Sequence, residues 1–131
     1  MENHFNTMEQ LAQEKLRVLM VEPGKTPYVS EIPNTLAGQQ QAVEGLIEYV
    51  YNGDGTIIVV NEEGKLNGMQ ANRRIDGDVL VGPFFIAGDD GEELRSLSEE
   101  EIKKYTERFA EPEDIPQEEV SNHLGFRMMF W

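Results

Sequence analysis

The stretch covering residues 16–51 constrains the fold more than any other part of the chain. Residues 16–21 (LRVLMV) are almost continuously apolar, which is typical of a strand buried on both faces. Pro23 and Gly24 predict a turn, because proline presets φ and glycine accepts a positive φ. Residues 28–32 (YVSEI) then predict a second strand, so this stretch indicates a pair of strands.

A helix is predicted to follow this pair from about Thr35. Pro33 ends the second strand, and Asn34 or Thr35 is placed to cap the first free N–H groups of the helix. Apolar residues then recur at the i, i+3, i+4, i+7 spacing of an amphipathic helix, namely Val43, Leu46, Ile47 and Val50. A strand pair with a helix crossing it is the smallest unit that begins a two-layer core.

The middle of the chain alternates strands with turns. Residues 56–61 (TIIVVN) and 79–87 (VLVGPFFIA) are rich in β-branched, aromatic or other apolar residues and predict two further strands. Pro83 removes a ladder donor from the second of these, so we expect an edge position or a bulge at Gly82-Pro83. Between the two strands, residues 60–78 predict a chain of tight turns.

The second predicted helix has clear start and stop signals. Ser98 and Glu101 form a capping box, and Leu97 and Ile102 are spaced as a hydrophobic staple. Three acids follow Ser98 at the positive end of the helix, and we expect the helix to stop before Pro112.

These elements together predict an α+β fold. We expect a small mixed, mainly antiparallel sheet, with a crossing helix after the first strand pair and a capped helix after the last strand. The chain of 131 residues is long enough for one core. The predicted parts are an N-terminal helical arm (residues 1–15), a single α+β domain (residues 16–110), and an acidic linker with an apolar C-terminal tail (residues 111–131).

The charge is strongly acidic, with 25 acids against 11 bases and a net charge of −14. Thirteen of the acids and four of the bases lie in residues 89–119, which gives this segment a net charge of −9. Such a surface repels nucleic acids and anionic membranes and attracts basic partners. The simpler interpretation is a solvated acidic face that aids solubility.

The sequence lacks the residues that several functional classes require. Without cysteine there is no disulfide framework or thiolate metal site, and the two histidines lie near the ends of the chain. Gly24-Lys25-Thr26 resembles the end of a phosphate-binding P-loop, but Leu19 stands where the first glycine belongs. We therefore expect no enzyme, no cofactor and no metal. No apolar run approaches the roughly 20 residues of a membrane span, and no signal pattern begins the chain, so we expect a cytoplasmic protein.

Three motifs in order carry a resemblance to a known family: LRVLMVEPGKTPYVSEIPNTLAG, NEEGKLNGMQANR and GPFFIAG. They resemble a family of small domains of unknown function that is carried mainly by phages and mobile elements of Gram-positive, often gut, bacteria. The resemblance implies a setting in an infected or carrier bacterium. Small acidic accessory proteins in that setting are often antagonists of host defence, which is an inference by analogy.

The first functional hypothesis is a non-enzymatic protein that binds and blocks a host protein with a basic surface. The acidic segment and the apolar tail motivate it. The tail also offers contacts for a homo-oligomer, or folds back on its own core. The partner-binding residues predicted by this hypothesis are Glu92, Glu93, Glu99, Glu100, Glu101, Phe126, Met129, Phe130 and Trp131.

The alternative hypothesis is sequestration of a small nucleotide-type immune signal in a loop-lined pocket. Cationic and amide groups from neighbouring loops would contact phosphates and bases, and a tyrosine would stack. The ligand-binding residues predicted by this alternative are Lys25, Tyr28, Lys65, Asn67, Asn72 and Arg73. The simpler interpretation is that these are solvated turn residues. An uncharacterised enzyme is the third reading, and a carboxylate of perturbed pKa in a deep pocket would indicate it.

Overall fold

The computed structural model describes residues 14–120. The strands and helices in this range run in the order β1 (Lys15–Val21), β2 (Tyr28–Pro33), α1 (Leu36–Val43), β3 (Ile47–Tyr51), β4 (Thr56–Asn61), β5 (Ala71–Ile75), β6 (Asp78–Val81), β7 (Phe84–Asp89), β8 (Leu94–Arg95) and α2 (Glu99–Arg108). The predicted N-terminal arm and the apolar tail lie largely outside the described residues.

The main sheet has the strand order β2-β1-β7-β4-β3, and β8 pairs with β7. Every described strand pair is antiparallel, which confirms the predicted α+β class and its mainly antiparallel sheet. β1 lies between β2 and β7 and is buried on both faces, as the apolar run predicts: Leu19 and Val21 pack on one face and Val18 packs on the other. The register places Leu19 opposite Ile86.

The predicted strand 79–87 is two strands, and they belong to different sheets. β6 pairs with β5 in a separate two-stranded sheet, whereas β7 lies at the centre of the main sheet. The chain changes sheets at Gly82, whose φ of +72° requires glycine, and a Cβ there would lie 2.8 Å from Met69 Cε. The break therefore falls where Pro83 predicted an irregularity, but the alternative of an edge strand is wrong.

The predicted helical stripe is wrong beyond Val43. Glu44 adopts the left-handed conformation (φ +64°) and ends α1, and the chain then pairs with β4 as strand β3. Leu46 is half exposed in the turn between them. The segment Ile47–Tyr51 (IEYVY) is β-branched and aromatic, and pairing with β4 satisfies both its backbone and its side chains better than another helical turn. The helical spacing of the stripe was a coincidence.

The prediction that residues 60–78 form only turns is also wrong. They contain β5, whose register against β6 shifts between Ala71 and Arg73. This irregularity places Asn72 and Arg73 side by side in the interior. Asp76 and Gly77, both with positive φ, form the predicted turn between β5 and β6.

Helices cover both faces of the main sheet. On one face α2 packs against apolar residues of the central strands, and α1 lies against the other face. The capping box of Ser98 and Glu101 is present, so the predicted start of α2 is confirmed. After α2, residues 111–120 return along the two-stranded sheet, where Ile115 and Val120 pack against Val79.

Candidate acidic interaction surface

Three segments that are distant in sequence meet at one end of the main sheet, which we call the acidic end. They are the β3–β4 loop (residues 52–55), the end of β7 with the β7–β8 loop (residues 89–93) and the first turn of α2 (residues 99–101). The backbone N–H of Asp89 donates to the carbonyl oxygen of Gly55 at 2.8 Å and joins the two loops. The side chain of Arg95 also donates to the Gly55 carbonyl, at 3.1 Å.

Arg95 ties the loops to the start of α2. Its two terminal nitrogens donate to the two carboxylate oxygens of Glu101 at 2.9 and 3.0 Å, a bidentate geometry that is among the strongest side-chain pairings. Glu101 also accepts from the backbone N–H of Ser98. The Arg95 guanidinium, with help from Ser98, therefore lowers the pKa of Glu101 to about 2 despite partial burial. The Glu101 carboxylate therefore stabilises the fold through its contacts with Arg95 and Ser98.

A second polar group, the Asp54 cluster, comprises Asp54, Thr56, Lys104 and Tyr105. One carboxylate oxygen of Asp54 accepts from Lys104 at 2.7 Å and from the Tyr105 hydroxyl at 2.5 Å. The other accepts from the backbone N–H and the hydroxyl of Thr56. Burial alone would raise the pKa of Asp54, but these hydrogen bonds outweigh it and hold the pKa well below its usual range. The cluster fastens the β3–β4 loop to α2.

Three of the cations near the acidic end pair with carboxylates, whereas Lys103 on α2 is exposed and forms no ion pair within residues 14–120. Arg95 serves Glu101, Lys104 serves Asp54, and Arg17 pairs with Glu99. Four exposed carboxylates there form no ion pair within residues 14–120, namely Asp90, Glu92, Glu93 and Glu100, although Arg95 attracts Asp90 at longer range. Because like charges that are held close together repel each other, binding a basic surface here is favourable.

The predicted partner-binding residues divide into three groups. Glu92, Glu93 and Glu100 are exposed at the acidic end, as this hypothesis requires. Glu99 is engaged by Arg17, and Glu101 belongs to the capping box. The remaining four, Phe126, Met129, Phe130 and Trp131, lie outside the described residues.

Two of the predicted ligand-binding residues are buried. Asn72 and Arg73 have no exposed surface. The five N–H groups of Arg73 all donate to neutral oxygens: the carbonyls of Phe109, Lys25 and Asn72, and the side-chain oxygen of Asn72. The amide nitrogen of Asn72 donates to the carbonyls of Val21 and Gly82. We call this group the Arg73 cluster. It holds the chain together internally and presents no polar group to a ligand.

The other predicted ligand-binding residues do not converge with these two on a solvent-facing site. The Tyr28 hydroxyl donates to the Glu22 carboxylate at 2.7 Å, which, with partial burial, raises the pKa of Tyr28 to about 12. Lys65 pairs with Asp78 at 2.5 Å. Lys25 lies near Glu22, and Asn67 is exposed in the loop before β5.

Sequence reasoning missed Asp54, Arg95 and Tyr105 as the groups that organise the acidic end. The Asn-Gly-Asp-Gly run signals a loop, but the partners of Asp54 on α2 are about 50 positions away in sequence. Among residues 14–120, no group of three or more His, Cys, Asp or Glu is arranged to hold a metal ion. In the same range, no helix has the length and apolar composition that a membrane span requires.

Comparison with known proteins places the chain in a family. Neither the curated proteins nor the solved structures that were searched contain a match to it. The model of one family, described as a domain of unknown function (DUF3846), matches residues 16–110, which include α1, α2, the acidic end and all of the main sheet except Lys15. The chain therefore belongs to the DUF3846 family.

Proposed function

We propose that this protein is a non-enzymatic binding protein whose acidic end occupies a basic surface of a partner protein. The observation that carries the proposal is the imbalance at this end. Arg95 and Lys104 pair with carboxylates inside the fold, whereas the exposed acids Glu92, Glu93 and Glu100 form no ion pair within residues 14–120. A partner with a basic surface supplies the missing charge.

Most of the remaining surface supports the same choice of partner. Arg73 is buried, and Lys65 and Arg74 are paired with carboxylates. Long-range attraction therefore favours basic proteins and disfavours nucleic acids and anionic lipids. The acidic end draws its rigidity from sheet and helix contacts, so binding does not have to order a flexible segment.

The biological role follows from the family resemblance and not from the geometry. Domains resembling this one are carried by phages and mobile elements, so we place the partner in the cytoplasm of an infected or carrier bacterium. The role we propose is antagonism of a host defence protein by occupying its basic surface. This step is an analogy.

The test begins with capture of partners from a host lysate, followed by binding measurements with the purified partner. Calorimetry at low and at near-physiological ionic strength is expected to show affinity that falls steeply with salt. The charge-reversal variant D90K/E92K/E93K/E100K is expected to lose binding by roughly a hundredfold or more, because each residue changes from attraction to repulsion. None of these four side chains forms an ion pair or a hydrogen bond within the described part of the chain.

A matched control reverses four exposed acids in and beyond the last turn of α2. The variant E107K/E111K/D114K/E118K has the same net charge as the first variant, so any non-specific effect of charge is equal in both. We expect it to retain most of the affinity. Equal losses in the two variants would show that binding follows net charge alone, and the acidic end would then have no special role.

A further inference from the structure

We propose that the open edge of β3 receives an extended, basic segment of the partner as an added strand. This inference rests on the proposed function and names how the partner is held. Among the described residues, β3 forms one edge of the main sheet and its one strand partner is β4. It leads directly into the β3–β4 loop, so the edge is continuous with the acidic end.

The hydrogen bonds at the two ends of β3 fix which residues face β4. At one end the backbone N–H of Glu62 donates to the carbonyl of Leu46 at 2.8 Å, and at the other the N–H of Asn52 donates to the carbonyl of Thr56 at 3.1 Å. In an antiparallel ladder every second residue bonds to the neighbouring strand. The even-numbered residues of this segment therefore bond to β4.

The odd-numbered residues Ile47, Tyr49 and Tyr51 consequently direct their backbone N–H and C=O groups away from the sheet. No hydrogen bond from any other part of residues 14–120 reaches these groups. Such a row of free donors and acceptors is the template that strand addition uses. Tyr51, which is 66% exposed, and half-exposed Leu46 add apolar contacts at the two ends of the edge.

Natural sheet edges are commonly protected by lysine, proline or a bulge, and β3 has none of these. Residues 26–64 contain no lysine, arginine or histidine, while Glu44, Glu48 and Glu62 are exposed on or beside the edge. An added strand with basic side chains therefore meets carboxylates along the edge and no cation from residues 26–64. The chemistry of the edge selects a basic segment over a neutral or acidic one.

The same charges disfavour a second copy of this chain as the occupant. Pairing two β3 edges would bring Glu48 and its neighbours of both copies together, between molecules that each carry a net charge of −14. Like charges that face each other across strands are destabilising. The edge can therefore receive a basic partner, whereas repulsion between like charges opposes self-association.

The probe is a fluorescent octapeptide of alternating Lys and Val, compared with one of alternating Glu and Val. We expect anisotropy to detect binding of the basic peptide and a much weaker signal for the acidic one. Amide hydrogen exchange of the wild-type protein gives the site-specific measurement. Exchange of the outward N–H groups of Ile47, Tyr49 and Tyr51 is expected to slow when the basic peptide is present, because each would then donate to the peptide.

Proline variants separate the two edges of the sheet. Tyr51→Pro removes an outward N–H without breaking the ladder to β4 and is expected to weaken peptide binding roughly tenfold or more. Tyr51→Thr loses the ring but keeps the N–H and is expected to retain most of the binding. Glu31→Pro makes the matched change at an outward-facing position of β2, the other edge, and is expected to bind as the wild type does.

Each outcome decides the inference. Slowed exchange at the three amides, with loss of binding in Tyr51→Pro but not in Glu31→Pro, supports it. No binding of the basic peptide, equal binding of the acidic one, or an unchanged exchange rate at the β3 amides overturns it. Dimerisation that Tyr51→Pro abolishes would also overturn it, because the occupant would then be a second copy.

The purified partner separates failure of this inference from failure of the proposed function. If its binding depends on the four acids of the acidic end but is unaffected by Tyr51→Pro, the proposed function stands and strand addition is wrong. If Tyr51→Pro abolishes binding and reversal of the acidic end has no effect, the edge is correct and the acidic surface is not. Insensitivity to both changes contradicts both proposals.

Discussion

The two polar clusters of this protein stabilise charges of opposite sign in opposite environments. The Arg73 cluster buries a cation completely and surrounds it with neutral oxygens, mainly backbone carbonyls. The Asp54 cluster keeps an anion partly exposed and supplies a cation and two hydroxyl groups. Both clusters attach α2 to a distant part of the chain. The Arg73 cluster does so at the C-terminal end of the helix, and the Asp54 cluster does so through Lys104 and Tyr105.

The difference shows how burial decides what a charged side chain does. Burial lowers the pKa of the Arg73 guanidinium, but a group with such a high starting value stays charged at any ordinary pH. Its role is therefore independent of pH and of salt. Asp54 is close to solvent and titrates, so its contribution depends on both. The first cluster fixes the fold, and the second fastens the β3–β4 loop while the nearby acids stay exposed.

The largest expected effect follows from removing the Arg73 side chain. Arg73→Met keeps the length of the side chain but leaves the carbonyls of Phe109, Lys25 and Asn72 without their donors. Because unsatisfied buried polar groups each cost about 1–3 kcal/mol, we expect the free energy of unfolding to fall by about 3 kcal/mol or more. Urea unfolding followed by circular dichroism measures the loss.

Arg73→Lys distinguishes charge from geometry in the same cluster. Lysine keeps the positive charge but its three donors sit on one nitrogen and do not reach three separate carbonyls. We expect it to lose most of the stability that Arg73→Met loses. A lysine variant as stable as the wild type would show that charge, and not the planar array of donors, holds the cluster together.

Arg73 also marks the limit of what the sequence predicts. Local signals were sufficient for α2, whose capping box and staple lie within a few residues of each other, and for β1 and β4, which are continuously apolar. They failed for β5, because its polar residues Asn72 and Arg73 are required inside the fold. Their acceptors come from Val21, Gly82 and Phe109, and a sequence pattern does not show such distant contacts.

The acidic end was predicted only in part, again because distant contacts decide which of its acids are paired. Glu92, Glu93 and Glu100 lie in one charged segment, so their shared surface followed from the sequence alone. The division between exposed and internally paired acids did not, since it depends on where Arg17 and Arg95 reach in the folded chain. The β3 edge escaped prediction because its residues also matched a helical spacing.

A smaller and pH-dependent effect is expected for the Asp54 cluster. Asp54→Asn removes the charge that Lys104 and the hydroxyl groups stabilise, and we expect a loss of about 1 kcal/mol at neutral pH, reduced by partial exposure. The folded state lowers the pKa of Asp54, so the ionised carboxylate stabilises the fold above the unfolded pKa of about 4. That stabilisation is lost as the pH falls below this value.

The stabilities of the wild type and of Asp54→Asn are therefore expected to converge in acid. Unfolding in urea at a series of pH values measures the difference between them. Glu92→Gln is the control, since this exposed acid of the same end forms no ion pair within residues 14–120, and it is expected to match the wild type throughout. A constant difference between Asp54→Asn and the wild type at all pH values would contradict the role of the ionised carboxylate.

The smallest effect on stability is expected for Arg74, the neighbour in sequence of Arg73, for which the largest effect is expected. This residue faces away from the Arg73 cluster and is exposed, where it donates to Glu119 at 2.8 and 2.9 Å and to Glu113 at 3.1 Å. Exposed pairs contribute little to global stability, so Arg74→Gln is expected to leave the urea midpoint nearly unchanged.

The effect of Arg74→Gln is local, because the contacts of Arg74 fasten residues 113–119 to β5. We expect faster amide exchange in that segment, an effect that high salt reproduces in the wild type but Glu118→Gln does not. A midpoint shift as large as that of Arg73→Met would mean that exposure does not separate these two adjacent arginines.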